Sequence, residues 1–348
     1  MGDARPEKFP PTTSMSDSAP VRSRRFLSCD WGTSAFRLRL IDAETREVIA
    51  ASCSDRGIAA TFAEWQAAGA NPENRWDHFS RVIGQHLAEV SGRSGRSLAG
   101  IPLVISGMAS SSIGMRELPY RELPFAIDGS ELNAERVAAR DDFPHPIVII
   151  SGARSRDDVM RGEETQLVGA CANRAGFRDP PARNRLFIFP GTHSKHVEVR
   201  GAEAVGFQTY MTGEFFDLLS RKSVLASSVE AMSDLGVPEN LQDFEAGVQA
   251  GAKGNLLHAC FRVRTRALLD KAAPSENYHY LSGLLIGAEV REVAARDTAI
   301  ALVGGGPLLT AYGEAFRVLG IRSPLTVQDI DDCLIAGQLT IAAQLGLL

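Results

Sequence analysis

The chain has 348 residues, 44% hydrophobic, 23% charged and 7% aromatic, a globular composition long enough for two domains that excludes fibrous and wholly disordered readings. A formal net charge of −5 gives no general pull toward nucleic acid or an anionic membrane surface. Thirty-two glycines beside seventeen prolines favour a turn-rich α/β architecture.

Residues 1–24 are rich in Pro, Ser and charge and lack the apolar core of a signal peptide, so they read as a disordered leader. From Arg25 the pattern is regular. Phe26 to Cys29 reads as a buried strand, Asp30-Trp31-Gly32-Thr33-Ser34 as a tight turn, and Phe36, Leu38 and Leu40 alternate as a second strand. Glu47 to Ser52 supplies a third. Helical periodicity over Trp76 to Val90 puts Trp76, Phe79, Ile83 and Leu87 on one face. Pro102 to Ser106 and Pro146 to Ser151 are short apolar strands, and Asp157 to Cys171 reads as a helix with Asp157 or Asp158 at its cap or in its first turn.

The second half restarts on the same plan. Leu186 to Phe189 is a strand, Pro190-Gly191-Thr192-His193-Ser194-Lys195 a turn, and Val197 and Val199 alternate in the next strand. In both halves a Gly-Thr pair precedes an Ala-Glu pair by the same spacing: Gly32-Thr33 before Ala43-Glu44, and Gly191-Thr192 before Ala202-Glu203. With the matching strands around them, these letters point to an internal duplication. The expected division is an N-terminal domain over 25–183 and a C-terminal domain over 184–348, the last helix free to pack back on the first. Leu281, Leu284, Leu285 and Val290 read as helix core.

No apolar run reaches the roughly 18 residues of a membrane span. Five cysteines stand far apart without a C-x-x-C pair, which argues against zinc or dithiol chemistry and for a reduced, cytoplasmic compartment. None of the five lysines follows a glycine, so a P-loop is excluded. Gly304-Gly305-Gly306-Pro307 lacks the third small residue of a dinucleotide fingerprint, and no H-E-x-x-H or G-x-S-x-G occurs. Two facing loops of glycine and hydroxyl residues remain, a pattern suited to phosphate because backbone N–H and hydroxyl groups approach it without bulk. A single such loop is equally a good hairpin turn. Asp30 beside the first loop suits Mg²⁺, which takes few carboxylate oxygens and keeps its water.

At this point the sequence resembles the sugar kinases of the actin-like ATPase superfamily, whose first phosphate motif is D-x-G-[ST]-[ST]. Pro190 to Lys195 fits the second phosphate motif, and Gly304-Gly305-Gly306-Pro307 after Ala299 to Val303 fits the adenosine motif. Pro119-Tyr120, Asp158-Val159-Met160-Arg161-Gly162-Glu163-Glu164-Thr165-Gln166 and Met211-Thr212-Gly213-Glu214 narrow the resemblance to the 2-dehydro-3-deoxygalactonokinase family. It implies a two-domain actin-like, ribonuclease H-like α/β fold, each domain a mixed sheet flanked by helices, with ATP in the interdomain cleft. The family moves the γ-phosphoryl of ATP to the 6-hydroxyl of 2-dehydro-3-deoxy-D-galactonate.

The resemblance assigns Thr33, Ser34, Gly191, Thr192 and Lys195 to the phosphates, Gly304 to Pro307 to adenosine and Asp30 to Mg²⁺; Lys195 is otherwise a solvated strand-edge lysine. Asp158 is the expected base, with Asp157 an alternative and Glu163 the runner-up, unless the aspartates merely cap the helix. Ser106, Gly107, Met108 and Ala109 belong to a hydroxyl-rich loop expected to hold the sugar acid. Arg161 either reaches that acid or forms an exposed helical pair with Glu164. The implied partners are the two substrates, with no nucleic acid and no membrane, and a homodimer is left open. Another sugar acceptor, or a non-catalytic ATP-gated regulator on the same fold, are the competing readings.

Overall fold

The computed structural model describes residues 24–173, 184–230, 235–296, 298–321 and 325–348; the expected leader lies outside them except for Arg24. In chain order the first half contains β1 (Arg25–Trp31), β2 (Phe36–Asp42), β3 (Val48–Ser54), α1 (Ile58–Ala67), α2 (Pro72–Ser94), β4 (Leu103–Gly107), β5 (Arg121–Glu122), β6 (Phe125–Ala126), β7 (Ala134–Val137), β8 (Ile147–Ile150), β9 (Ala153–Arg154), β10 (Val159–Met160) and α3 (Glu163–Ala172). The second contains β11 (Arg185–Phe189), β12 (Ser194–Arg200), β13 (Glu203–Tyr210), α4 (Thr212–Lys222), α5 (Pro238–Lys253), α6 (Leu256–Thr265), α7 (Pro274–Val290), β14 (Ala299–Gly304), α8 (Gly306–Val318), β15 (Leu325–Asp329) and α9 (Ile330–Gln344).

Two six-stranded sheets carry the same plan. The first runs β3-β2-β1-β4-β8-β7 and the second β15-β14-β11-β12-β13-β6. In each, the first strand pairs antiparallel with the second and the second with the third, while the first, fourth and fifth are parallel. The duplication expected from four letters is thus present as five strands of identical order and sense. Beyond them each sheet gains one edge strand, and β6 crosses the expected division at 183/184: Phe125 pairs with Ala204 of β13.

Alternation along β1 explains the layers. Leu27, Cys29 and Trp31 face a core with Phe79, Val82, Ile83, Leu87 and Val90 of α2. Asn71 starts that helix by accepting from the Glu73 amide, with Pro72 in the first turn, and Gly95 ends it. Phe26 faces the other way, onto Val168 of α3 and Ile335, Ile341 and Ala342 of α9. Leu167 and Ala170 of α3 and Cys333 of α9 pack with Phe187, Val197 and Ala301 of the second sheet. The two helices therefore form a middle layer shared by both sheets, and burying each large apolar side chain there is worth about 1.5–3 kcal/mol.

The helix expected over Asp157–Cys171 is corrected, because α3 begins at Glu163. Ser155 Oγ accepts from the amides of Asp157 (3.3 Å) and Asp158 (3.0 Å), a side-chain turn that competes with helix. Gly162, at φ +114°, then turns the chain where a side chain would be strained.

Candidate active site

The parallel strands β1 and β4 of the first sheet and β11 and β14 of the second end in the loops singled out from the sequence; ligands of such sheets bind beyond the carboxyl ends of strands. The two hairpin loops, 32–35 and 190–193, are seated alike. At the start of α1, the Ile58 amide donates to Gly32 O (2.9 Å) and the Ala59 amide to Thr33 O (3.1 Å); at the start of α4, the Glu214 amide donates to Thr192 O (3.0 Å). Helix N-terminal amides lack intrahelical partners, so each loop completes a helix while the helix fixes the loop. Close approach requires a glycine in each place. A Cβ on Gly213 would stand 2.6 Å from Gly191 O, and one on Gly57 would overlap Thr33 O. Thr33, Ser34 and Thr192 stay exposed.

The start of α3 lies between the loops. A Cβ on Gly107 would meet Trp31 O at 2.8 Å and Asp30 Oδ1 at 3.5 Å, and one on Gly162 would meet Gly107 Cα at 3.6 Å. Next in sequence, Glu163 accepts from the Arg161 amide (3.0 Å) and places Oε1 3.7 Å from Lys195 Nζ. Lys195 is not a solvated edge lysine. It lies on β12, an interior strand, is only 5% exposed and donates to His193 O at 3.4 Å. Asp30, Gly107, Gly162, Glu163 and Lys195 are thus successive neighbours across the site. Burial raises the pKa of Asp30, while Arg37, donating to Oδ2 at 3.0 Å, holds it back. Burial, then the neighbouring Glu163 charge, push the sealed Glu164 up to about 7.

Asp158 does not enter a helix. It stands in the turn before β10, and its carboxylate accepts from the Val159 amide (2.7 Å) and from Thr209 of β13 through both amide and hydroxyl (2.7 Å each). Among the residues expected to hold the sugar acid, Ser106 is sealed and accepts from Gln338 Nε2 (2.8 Å), and Gly107 and Ala109 are buried. Ser111 turns its hydroxyl back on Met108 O (2.7 Å). Met108 and Arg161 keep partial exposure. Arg161 is no helical partner of Glu164: its Nη1 donates to Ser110 O (2.7 Å) and Ser110 Oγ (2.5 Å), and its guanidinium covers the Tyr120 ring at 4.1 Å. Gly304 to Pro307 form the strand-to-helix turn from β14 to α8, and a Cβ on Gly304 would stand 3.6 Å from Pro190 Cδ, so this turn adjoins the second loop.

A family profile described as 2-keto-3-deoxy-galactonokinase matches residues 30–341. The chain belongs to that family. A Rhizobium meliloti (strain 1021) protein named "Probable 2-dehydro-3-deoxygalactonokinase" is 33% identical over 320 residues, 90% of this chain and 94% of its own. The 2-dehydro-3-deoxygalactonokinase of Escherichia coli (strain K12) is 36% identical over 228 residues, 63% of this chain and 71% of its own. A solved Sinorhizobium meliloti structure, described as a candidate 2-dehydro-3-deoxygalactonokinase, superposes with a TM-score of 0.72 at 32% identity, over 93% of this chain and all of that one. The galactonokinase-family chain has the actin-like, ribonuclease H-like α/β fold, and no described helix is long and apolar enough to cross a membrane.

In this galactonokinase-family site several contributors carried no sequence signal. Gly57 lies in an unremarkable turn, and Thr209 is one of many strand threonines. Glu289 did carry one: it is the lone carboxylate at the end of the apolar run Leu281 to Val290. A charge there needs buried partners.

Proposed function

We propose that the protein transfers the γ-phosphoryl group of ATP to the 6-hydroxyl of 2-dehydro-3-deoxy-D-galactonate. The observation that carries this reading is Glu163 at the start of α3, between the two loops and 3.7 Å from Lys195. In the proposed arrangement the loops hold the β- and γ-phosphates through Thr33, Ser34, Gly191 and Thr192, and Lys195 offsets their charge. The turn at Gly304–Pro307 takes the adenosine. Among the described residues no three His, Cys, Asp or Glu side chains converge on a metal-sized site. A single carboxylate, Asp30, fits Mg²⁺ that is otherwise held by water and phosphate. Bound there, the ion would neutralise phosphate charge.

The acceptor hydroxyl oxygen forms the new bond to the γ-phosphorus as the bond to ADP breaks, and its proton passes to a carboxylate. We assign that base to Glu163 in place of Asp158. Asp158 accepts three close hydrogen bonds from Val159 and Thr209 across its two oxygens, whereas Glu163 accepts one, from the Arg161 amide, keeps Oε1 beside Lys195 and has 22% of its side chain exposed. Arg161, fixed on Tyr120 and Ser110, is the cation proposed for the sugar-acid carboxylate. A cytoplasmic setting suits an ATP-consuming enzyme whose five cysteines are all free. The test is coupled ADP release over a panel of sugar acids. Turnover with 2-dehydro-3-deoxy-D-galactonate above the others supports the assignment; turnover with none returns the ATP-gated regulator.

A further inference from the structure

Behind the second phosphate loop lies a carboxylate that the proposed mechanism does not use. Glu289, near the end of α7, is 4% exposed and gathers donors from three other elements. Ser194, where the loop passes into β12, donates to Oε1 at 2.7 Å, and His196 Nε2 lies 2.9 Å from the same oxygen. Thr212, the first residue of α4, and Tyr312 of α8, at 2.7 Å, donate to Oε2. An ionised carboxylate only accepts, with about four lone-pair sites, so four donors saturate it and each is left a single orientation. Burial alone would raise the Glu289 pKa, but His196, Ser194 and Thr212 hold it below the ordinary value.

The elements so tied are those that carry the site. Ser194 ends the loop 190–193, Thr212 begins the helix whose amide supports Thr192 O, and Tyr312 belongs to the helix that follows Gly304–Gly306. We propose that Glu289 is a positioning residue for ATP, fixing the second phosphate loop and its supporting helix against the glycine turn and so setting the span between the phosphate and adenosine ends of the nucleotide. This rests on the reading of those loops as the ATP site. It also turns the Ser194 hydroxyl away from phosphate and onto the carboxylate. Glutamine cannot replace Glu289 without placing an NH₂ against hydroxyl donors.

Full-length protein carrying Glu289→Gln is assayed for steady-state ADP release with ATP and acceptor varied separately, thermal unfolding serving as the fold control. The expected result is a KM for ATP raised about tenfold to a hundredfold, the size of losing one hydrogen bond to a charged group from the arrangement that binds the nucleotide, with the acceptor KM within about twofold. Tyr312→Phe removes one donor at little packing cost and is expected to raise the ATP KM in the same selective way by about threefold, the size of one modest hydrogen bond. An ATP KM unchanged in folded Glu289→Gln, or in Tyr312→Phe should the first variant not fold, overturns the proposal, as do equal rises in both KM values. Hydrogen exchange with ADP separates the two readings. Wild type unprotected over 190–195 and 304–309 overturns the ATP site itself, while undiminished protection in the variant overturns only the role of Glu289.

Discussion

Gly169 of α3 and Gly337 of α9 face each other where the two helices of the middle layer cross: a Cβ on Gly169 would overlap Cys333 O, and one on Gly337 would overlap Thr165 O. The helices touch backbone to backbone, and α3 carries Glu163 at its start. Gly337→Ala adds one methyl to a closed contact, an overpacking that costs about 1–3 kcal/mol. Thermal unfolding is expected to fall by several degrees. Because α3 is displaced, kcat should fall as well in protein still folded at the assay temperature. An unchanged Tm would show that the crossing has slack.

Glu163 and Asp158 separate by what their substitution changes. Glu163→Gln removes the proposed proton acceptor together with the counter-charge of Lys195, and is expected to lower kcat by about a hundredfold to ten-thousandfold in protein still folded at the assay temperature. Asp158→Asn weakens the tie to Thr209, so its effect should fall on stability, with kcat kept within about tenfold. Steady-state kinetics beside thermal unfolding check both. The opposite pattern would return the base to Asp158.

Glu164 gives a pH dependence of known sign. Its pKa is raised from 4.5 to about 7 by burial, so the folded state favours the proton, and the stabilisation present below pH 4.5 is lost as pH rises toward 7. Glu164→Gln cannot lose a proton. Relative to wild type, the variant should gain roughly 3 kcal/mol of stability between pH 4.5 and 7 and nothing further above it. Urea unfolding across that range reads the difference; a constant difference contradicts the raised pKa.

Arg161 is held by the Tyr120 face and by Ser110, an arrangement that uses the planar guanidinium. Arg161→Lys keeps the charge and loses the fork. We expect the acceptor KM to rise about tenfold and the ATP KM to stay put, as separate titrations of the two substrates will show. A rise confined to ATP would move Arg161 to the nucleotide.

The parts of the fold legible in the sequence were those set by local pattern. Both glycine–hydroxyl loops, the glycine turn after β14 and the cores of α2 and α7 follow from strand alternation, helical spacing and small residues at turns. The start of α3 was missed because Ser155 captures two amides that a helix cap would otherwise claim. The role of Asp158 depends on Thr209, fifty-one residues away, and no local rule reports such a partner. The sequence offers Ser106 to Ala109 as a hydroxyl-rich loop for the sugar acid, yet Gln338 donates to the Ser106 hydroxyl and the nearby Ser111 hydroxyl donates back to Met108 O. For Lys195 the sequence admits both a phosphate ligand and a solvated strand edge, and the placement of β12 inside the sheet rules out the second.

The central claim is that the site between the two glycine–hydroxyl loops moves a phosphoryl group from ATP to one hydroxyl of a sugar acid. Purified full-length protein incubated with ATP, Mg²⁺ and 2-dehydro-3-deoxy-D-galactonate, followed by phosphorus and carbon NMR, tests it directly. The account predicts stoichiometric ADP and a single monophosphate whose phosphorus couples to C6 and its protons. Phosphorus coupled to another carbon, or ADP formed at the same rate without the acid, would contradict it.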